Sequence, residues 1–140
     1  MHYFITGHTG FKGSWLIHLL RSKGHTVSGY SDQALPNSLF VRAESKDCLE
    51  LDFRGDIRNL EDLTASLKKC EPDVLIHLAA QSLVTKSYLD PLETFSTNVD
   101  GTRNVLLAAR QIKSLAATLI VTTDKVYRNS KSSDGYIESD

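Results

Sequence analysis

The sequence predicts an α/β fold built on a doubly wound parallel sheet. A glycine-rich stretch, TGHTGFKG at residues 6–13, stands between a strand-like apolar segment and a helix-like segment. Strand-like and helix-like segments then alternate along the chain, which is typical of parallel sheets with right-handed crossovers. The apolar run VLIHLAA at residues 74–80 indicates a central strand that is covered on both faces.

Five strands are predicted, at residues 3–5, 25–31, 48–53, 74–80 and 118–122. Residues 31–40 carry a proline and turn-forming residues and are predicted to form a loop. With the glycine turn, this succession indicates a dinucleotide-binding (Rossmann) sheet of strand order 3-2-1-4-5. Residues 1–140 are thus one NAD-binding domain, and we expect it to be incomplete: truncated after the fifth strand, without later strands or a substrate domain.

Apolar spacing and end signals predict the helices. The first runs over residues 12–23, with Gly24 after its end and a buried face formed by Leu16, Leu19 and Leu20. Asn59 caps the second, whose apolar residues are Leu60, Leu63 and Leu67. The third begins at Asp90-Pro91 and carries on one face Phe95, Val99, Thr102, Leu106 and Ala109.

Composition narrows the classes of function. The chain is 41% hydrophobic and 24% charged, with a formal net charge of −1, so its charge does not favour nucleic acid or an anionic membrane as a partner. The N-terminus lacks an apolar signal core, and no apolar stretch is long enough to span a bilayer. Cys48 and Cys70 lack metal-ligand spacing, so we expect plain thiols, no metal site and a cytoplasmic protein.

The glycine-rich stretch predicts a phosphate site, because the free N–H groups and the dipole at a helix N-terminus suit an anion. Gly7 permits the tight turn, Gly10 the close approach of a pyrophosphate, and Gly13 the packing of the helix on the strand. Phe11 and Lys12 offer backbone N–H groups, and Lys12 also a charge. The alternative is a glycine loop without a ligand.

Two carboxylates are candidates for binding adenosine. Asp32 lies just after the second strand, near whose end an acidic residue hydrogen-bonds the ribose in this fold. No arginine stands beside it in the sequence, which favours NAD over NADP. The alternative is a loop aspartate that caps a turn. Asp56, followed by Ile57, comes after the third strand and can accept from the adenine amine; equally, it can be a charge near the next helix.

The ends of the fourth and fifth strands also reach the edge where this fold binds its ligands. Small residues within Leu78-Ala79-Ala80-Gln81 leave room for the cofactor, whereas His77 inside the apolar run is interpreted as a core histidine. The run Thr122-Thr123-Asp124-Lys125 combines hydroxyls, a carboxylate and an amine that can exchange protons, or else it is a solvated strand end.

Tyr127 and Lys131 have the four-residue spacing of a catalytic Tyr-x-x-x-Lys pair. Such a pair works when both residues lie on one helical face and the ammonium lowers the pKa of the phenol. The intervening Arg128-Asn129-Ser130 is not helix-like, so we interpret the spacing as a coincidence.

These motifs resemble the nucleotide-sugar branch of the extended short-chain dehydrogenase/reductases and, within it, the CDP-glucose 4,6-dehydratases. The similar segments are GHTGFKGSWL (7–16), GDIR (55–58), HLAAQ (77–81), SY..P.ETF.TNV.GT (87–102), TTDKVY (122–127) and GYIESD (135–140). The resemblance implies bound NAD, oxidation of CDP-glucose at carbon 4, loss of water across carbons 5 and 6, and return of the hydride to carbon 6. It also implies a role in O-antigen biosynthesis and a homo-oligomeric full-length protein.

The resemblance assigns roles at the fifth strand. It implies that Thr122 contacts the cofactor, that Thr123 hydrogen-bonds the carbon 4 oxygen, that Asp124 protonates the departing hydroxyl, and that Lys125 assists at carbon 5. Ser31 matches the family at the ribose position, whereas the neighbouring Asp32 stands where an apolar residue is common.

The family's catalytic tyrosine and lysine follow the GYIESD-like segment, so we expect residues 1–140 alone to bind NAD weakly and to lack dehydratase activity. The polypeptide is then either a truncated gene product or a deliberately shortened one. Two alternatives stay open: an epimerase or reductase that acts on another nucleotide sugar, and a non-catalytic NAD-binding remnant.

Overall fold

The computed structural model, which describes residues 1–123, 126–128, 135–137 and 139, contains a parallel sheet of five strands. They are β1 (His2–Thr6), β2 (Thr26–Ser31), β3 (Asp52–Arg54), β4 (Val74–His77) and β5 (Ala117–Ile120). Their order is β3-β2-β1-β4-β5, which confirms the predicted fold class and strand order. β1 lies at the centre and pairs in parallel with β2 and with β4.

Helices connect the strands on both faces of the sheet. They are α1 (Phe11–Ser22), α2 (Leu39–Arg42), α3 (Leu60–Cys70), α4 (Val84–Leu89), α5 (Pro91–Phe95) and α6 (Gly101–Ala109). A 3₁₀ turn at Ser45–Cys48 precedes β3, and a π-helical turn at Ser96–Asp100 joins α5 to α6. Among the residues that the structure describes, no helix has both the length and the apolar composition to cross a membrane.

The predicted helix ends are confirmed. The Asn59 side chain accepts a hydrogen bond from the Asp62 nitrogen at 3.1 Å at the start of α3. The Asp90 carboxylate accepts from the Glu93 nitrogen at 2.9 Å, and Pro91 follows it in the first turn of α5. Gly24 follows α1 with a φ of +78°, the left-handed conformation that ends many helices.

The structure contains short helices that the sequence pattern does not predict, and two strands have ends that differ from the prediction. α2 lies partly inside the predicted loop at residues 31–40, and α4 was not predicted at all. β3 begins at Asp52 rather than at residue 48, since Cys48 is the last residue of the 3₁₀ turn and residues 49–51 lie between the turn and the strand. β4 ends at His77, three residues early. Segments this short carry too few residues to show a hydrophobic period.

The buried face of α1 differs from the prediction. Leu19 is 52% exposed, and the buried residues are Gly13, Ser14, Ile17 and Leu20. The reason is the close approach at Gly13, where an added Cβ would lie 2.5 Å from the Gly7 carbonyl oxygen. The Gly13 side of the helix therefore faces the sheet, and Leu19 points to solvent.

The predicted face of the third helix is also wrong. Its members Phe95, Val99 and Leu106 are exposed, whereas the buried residues of α6 are Gly101, Asn104, Val105 and Ala108. The π-helical turn before α6 shifts the side-chain period, so one straight helical face does not continue from α5 into α6.

The core has two clusters, one on each face of the sheet. Phe4 of β1 packs with Tyr30, Leu63, Leu67, Leu75 and Val105, under α3 and α6. Its neighbour Ile5 packs with Ile17, Leu20, Val27 and Phe40, under α1 and α2. Successive residues of β1 thus enter opposite clusters, as expected for a strand buried on both faces. The helices pack on both faces of the sheet. Because the five strands are parallel, the loops that follow them lie side by side at the carboxyl edge of the sheet.

Candidate functional site

The glycine turn after β1 is built on backbone contacts. Gly7 has a φ of +72°, and a Cβ added there would lie 2.6 Å from the Ala79 nitrogen. Its N–H donates to the Tyr30 carbonyl oxygen at 2.9 Å, which joins the turn to β2. Gly7 thus makes the predicted tight turn, and Gly13 makes the predicted close packing of α1.

The N-terminus of α1 opens to solvent at this turn. Gly10 occupies the N-cap position, and no side chain among the described residues caps the helix there. Gly10, Phe11 and Lys12 are all exposed. The first N–H groups of a helix have no carbonyl partner within it, so this end can bind an anion such as a pyrophosphate. The roles predicted for these residues stay predictions.

A chain of hydroxyl groups connects the glycine turn to Asp32. The Ser31 hydroxyl donates to the Asp32 carboxylate at 3.2 Å, so the Thr9 hydroxyl donates to Ser31 at 2.7 Å. Thr9 and Ser31 are 8% and 7% exposed, whereas Asp32 is exposed. Ser31 therefore orients the Asp32 carboxylate, and its own contact with the ribose stays a prediction. No sequence pattern predicts this role of Thr9, because its contact with Ser31 depends on the pairing of β1 with β2.

A second chain connects the same turn to the Asp32 backbone. His8 is fully buried, and its Nε2 donates to the Asp52 carboxylate at 2.9 Å. The other Asp52 oxygen accepts from Arg54 at 2.7 Å, and Arg54 Nη1 donates to the Asp32 carbonyl oxygen at 3.1 Å. Asp32 is thus held at its carboxylate and at its carbonyl by chains that begin at the adjacent residues Thr9 and His8.

Packing fixes the His8 imidazole. A side chain on Gly29 of β2 would collide with the ring, and the ring meets Phe40 edge-on with centroids 5.4 Å apart. Burial lowers the pKa of His8, although the hydrogen bond to Asp52 opposes this, so the imidazole is neutral. Nδ1 is buried without a hydrogen-bond partner among the described residues, so the ring makes its contact to the sheet through Nε2.

Arg54 changes the surroundings expected for Asp32. The sequence shows no arginine beside Asp32, but β3 pairs with β2 in a register that sets Arg54 opposite Ser31. Sequence spacing could not reveal this neighbour, because 22 residues separate Arg54 from Asp32 and only strand pairing joins them. The absence of an arginine beside Asp32 in the sequence therefore does not extend to the folded chain, in which Arg54 contacts the Asp32 backbone.

Asp56 lies after β3, where it was predicted, and a neighbour already binds its carboxylate. Arg58 donates to Asp56 Oδ1 from its backbone nitrogen at 2.8 Å and from Nε at 2.9 Å. These hydrogen bonds lower the pKa of Asp56, so the group is an ionised acceptor. Ile57 is 6% exposed, and its side chain belongs to the core, so only its backbone can contact a ligand.

His77 is a core histidine, as predicted. It is 2% exposed and lies between two hydroxyl groups, with Nδ1 2.6 Å from Thr6 Oγ1 and Nε2 3.0 Å from Thr102 Oγ1. The Thr102 hydroxyl donates to the Asn98 carbonyl at 2.6 Å, so Nε2 carries the proton and donates to Thr102. Burial lowers the pKa of His77 to about 4.

The segment after β4 lies against the glycine turn. The Leu78 nitrogen donates to the Thr6 carbonyl at 3.0 Å, and Ala79 packs against Gly7. Ala80 is exposed beside them, so small residues stand where the cofactor was predicted. The Gln81 side chain donates to Thr94 at 2.9 Å, which ties this segment to α5.

Thr122 and Thr123 follow β5 and are exposed. Asp124 and Lys125 lie outside the described residues, so their predicted roles stay predictions. Tyr127 lies in a bend, with its ring stacked on Tyr136 at 5.0 Å between centroids, and Lys131 lies outside the described residues. In the part of the chain that the structure describes, no group of three or more histidine, cysteine or acidic side chains could hold a metal ion.

Comparison with known proteins gives matches over nearly the whole chain. The family model for GDP-mannose 4,6 dehydratase matches residues 4–136. A CDP-glucose 4,6-dehydratase of Salmonella typhimurium is 43% identical over 138 residues, which are 98% of this chain and 38% of the relative. A CDP-paratose 2-epimerase of Salmonella typhi is 34% identical over 128 residues, 91% of this chain and 38% of the relative.

Solved structures match the fold. A UDP-glucose-4-epimerase of Stenotrophomonas maltophila with bound NAD superposes with a TM-score of 0.79 at 26% identity, covering 95% of this chain and 40% of that one. The UDP-glucose 4-epimerase of Thermus thermophilus in complex with NAD gives 0.68 at 29% identity, covering 80% and 34%. The chain thus spans 34–40% of the length of these relatives.

Proposed function

The chain belongs to the GDP-mannose 4,6-dehydratase family, and on that premise we propose that it is the NAD-binding part of a nucleotide-sugar 4,6-dehydratase that acts on CDP-glucose. One observation carries the proposal: 43% identity to a CDP-glucose 4,6-dehydratase extends over 98% of the chain. The product is CDP-4-dehydro-6-deoxyglucose, and a role in O-antigen biosynthesis fits the Salmonella relatives.

The residues present fit a dinucleotide. The uncapped N-terminus of α1 at Gly10, Phe11 and Lys12 would hold the pyrophosphate, while Asp32 would accept hydrogen bonds from the ribose hydroxyls. The ionised Asp56 would accept from the adenine amine. NAD would supply the acceptor and then the donor of the hydride. Leu78, Ala79 and Ala80 would line the path between the adenosine and the reacting end.

The proposed chemistry at the sugar uses the residues after β5. Thr123 would donate to the carbon 4 oxygen and hold the sugar in place, and Thr122 would contact the cofactor. Asp124 would give its proton to the departing carbon 6 hydroxyl, which leaves as water. Lys125 would assist removal of the carbon 5 proton, which oxidation at carbon 4 acidifies.

The test incubates the protein, as its gene encodes it, with CDP-glucose and NAD. We expect a 4-keto sugar, detected by its ultraviolet absorbance in base, with no comparable turnover of GDP-mannose, dTDP-glucose or UDP-glucose. Asp124→Asn should lower kcat by about 100-fold or more, because it removes a general acid. Turnover of another nucleotide sugar in place of CDP-glucose would reject the substrate assignment.

Two other functions remain as alternatives to the dehydratase. Epimerase activity is favoured by the 34% identity to a CDP-paratose 2-epimerase, and it would convert a CDP-sugar without loss of water. A non-catalytic remnant would bind NAD and turn over no sugar. Mass spectrometry identifies dehydration, because only dehydration lowers the sugar's mass by one water. Proton NMR of the sugar then separates an epimer, which has an unchanged mass, from unreacted substrate.

We also propose that residues 1–140 by themselves do not turn over CDP-glucose, because Tyr127 lies in a bend and does not share a helical face with a lysine in the described chain. Measurable turnover by this polypeptide would overturn that proposal and restore Tyr127 and Lys131 as candidates. We further propose a cytoplasmic location and a homo-oligomer for the whole enzyme; the free thiols Cys48 and Cys70 are consistent with a reducing compartment.

A further inference from the structure

We propose that Arg54 is a specificity-determining residue: its guanidinium forms a latent subsite for a phosphate on the 2′-oxygen of the adenosine ribose, and Asp32 keeps that subsite closed. The inference rests on the proposed dinucleotide binding and deepens it. It concerns which of two coenzymes, NAD or its 2′-phosphorylated form, the ribose end accepts.

Position is the first argument. Arg54 Nη1 donates to the Asp32 carbonyl oxygen at 3.1 Å, and the Ser31 hydroxyl donates to the Asp32 carboxylate at 3.2 Å. The guanidinium therefore contacts the same residue whose carboxylate would bind the ribose. A ribose hydroxyl bound by Asp32 lies within reach of the guanidinium, and an arginine near this hydroxyl is what accommodates a 2′-phosphate in dinucleotide-binding sheets.

Preorganisation is the second argument. Arg54 Nη2 donates to Asp52 at 2.7 Å, and the guanidinium lies over the Phe40 ring at 5.1 Å. The Arg54 side chain still keeps 25% of its surface exposed. The guanidinium has more N–H groups than these bonds use, in a planar fork that matches phosphate oxygens. It is held in one place before any ligand arrives.

The balance of charge explains why the subsite is closed. His8 is neutral, so the group contains two carboxylates, Asp32 and Asp52, and one guanidinium. A 2′-phosphate carries a charge of about −1.5 to −2, as phosphomonoesters do, and meets a net negative site. Removal of the Asp32 charge leaves Arg54 balanced by Asp52, with N–H groups that these hydrogen bonds do not use. Asp32 is therefore what imposes the preference for NAD.

The experiment measures dissociation constants of NAD⁺ and NADP⁺ by calorimetry for the protein as its gene encodes it. The native protein should bind NAD⁺ more tightly than NADP⁺. Asp32→Ser should tighten NADP⁺ binding about ten-fold or more, the gain expected from one charge-assisted contact, and should weaken NAD⁺ binding. The double variant Asp32→Ser/Arg54→Met should lose the gain for NADP⁺.

Matched controls separate a specific contact from general attraction. Arg21→Met removes an exposed arginine in the last turn of α1, at the other end of that helix, and should preserve the gain in the Asp32→Ser background. Asp32→Asn keeps the size of the side chain and replaces Asp32→Ser if the serine variant does not fold, which circular dichroism reports. Two small probes stand for the adenosine ends of the coenzymes, adenosine 2′,5′-bisphosphate for NADP⁺ and AMP for NAD⁺. Asp32→Ser should tighten binding of the bisphosphate and weaken binding of AMP.

The outcomes are distinct. If the native protein binds neither dinucleotide, the proposed function fails and the inference fails with it. If NAD⁺ binds but the Asp32 variants gain no affinity for NADP⁺, the inference alone is overturned. It is also overturned if the gain survives Arg54→Met, because the phosphate then has another partner.

Discussion

The two ends of the sheet's carboxyl edge differ in how their side chains are held. At the β1–β2–β3 end, His8, Thr9 and Ser31 are buried polar residues, and each makes a hydrogen bond that leads to Asp32. At the end beyond β4, the helices α4 and α5 expose large apolar side chains, with Tyr88, Leu89 and Leu92 more than 80% exposed.

This difference indicates which part of the proposed site is preorganised before a ligand binds. The adenosine end is fixed by short polar contacts between elements far apart in sequence, so its geometry is set by the fold itself. The helices α4 and α5 have no buried residue, and regions with few buried contacts open locally at low free-energy cost. The four predictions that follow test this contrast.

The largest expected effect comes from Gly7→Ala in the glycine turn. The φ of +72° and the close Ala79 backbone both oppose a Cβ, so the free energy of unfolding should fall by on the order of 4 kcal/mol. Urea denaturation measures this change. Gly24→Ala is the matched control, since its φ is +78° but nothing lies within 4 Å of the added Cβ; it should cost only about 1 kcal/mol. Equal losses would show that close packing at Gly7 adds nothing.

Acid should act through His77, which joins β1 to α6. Its pKa is lowered from 6.5 in the unfolded chain to about 4 by burial. The unfolded chain therefore takes up this proton near pH 6.5, and the folded chain does so only near pH 4. Stability from this group is complete above pH 6.5 and falls by about 3 kcal/mol as the pH drops to 4.

The measurement is urea denaturation at several pH values between 7 and 4. His77→Gln should flatten the dependence in this window, although His8, whose pKa is also lowered, keeps part of the slope. An unchanged slope in His77→Gln would contradict the assignment of the effect to His77.

A smaller effect is expected from Asp52→Asn at the adenosine end. The substitution removes the charge that His8 and Arg54 both contact, so we expect a loss of about 2 kcal/mol in the free energy of unfolding. Asp56→Asn is the control, because that carboxylate is half exposed in its pair with Arg58 and should cost about 0.5 kcal/mol. Equal losses in the two variants would show that the partly buried Asp52–Arg54 pair contributes no more to stability than the exposed Asp56–Arg58 pair.

The smallest effects concern two helix caps, one in each region. Asn59→Ala removes the cap of α3, which packs in the core, and should cost about 1 kcal/mol. Asp90→Ala removes the same kind of bond from α5 and should cost less than about 0.5 kcal/mol, because α5 can open without global unfolding. Amide hydrogen exchange should show local loss of protection at α5. If Asp90→Ala lowered the free energy of global unfolding more than Asn59→Ala does, the proposed contrast between the two regions would be wrong.

The features that the sequence predicted are those that depend on local patterns. The glycine turn, the caps at Asn59 and Asp90, the buried run around His77 and the strand order all follow from spacing and residue type along the chain. Family resemblance added the candidate residues after β5, which no periodicity could identify.

The features that it missed depend on pairing between distant segments. Arg54 reaches Asp32 only because β3 pairs with β2, and Thr9 reaches Ser31 only because β1 pairs with β2. The π-helical turn before α6 shifts the buried face in a way that a regular helical period cannot anticipate. Leu19 was placed in the core because apolar character alone does not show which side of α1 meets the sheet.

The central place of β1 also has a consequence during synthesis. Thr6 and His77, which are hydrogen-bonded in the finished sheet, lie 71 residues apart in the chain. At a rate of about 5–20 residues per second, β1 leaves the ribosome roughly 4–14 s before β4 does. Until β4 emerges, the apolar Tyr3-Phe4-Ile5 segment has at most β2 as a partner, on one side only, because β2 follows it in the chain. The unpaired edge of β1 is therefore a site at which a chaperone can bind the nascent chain.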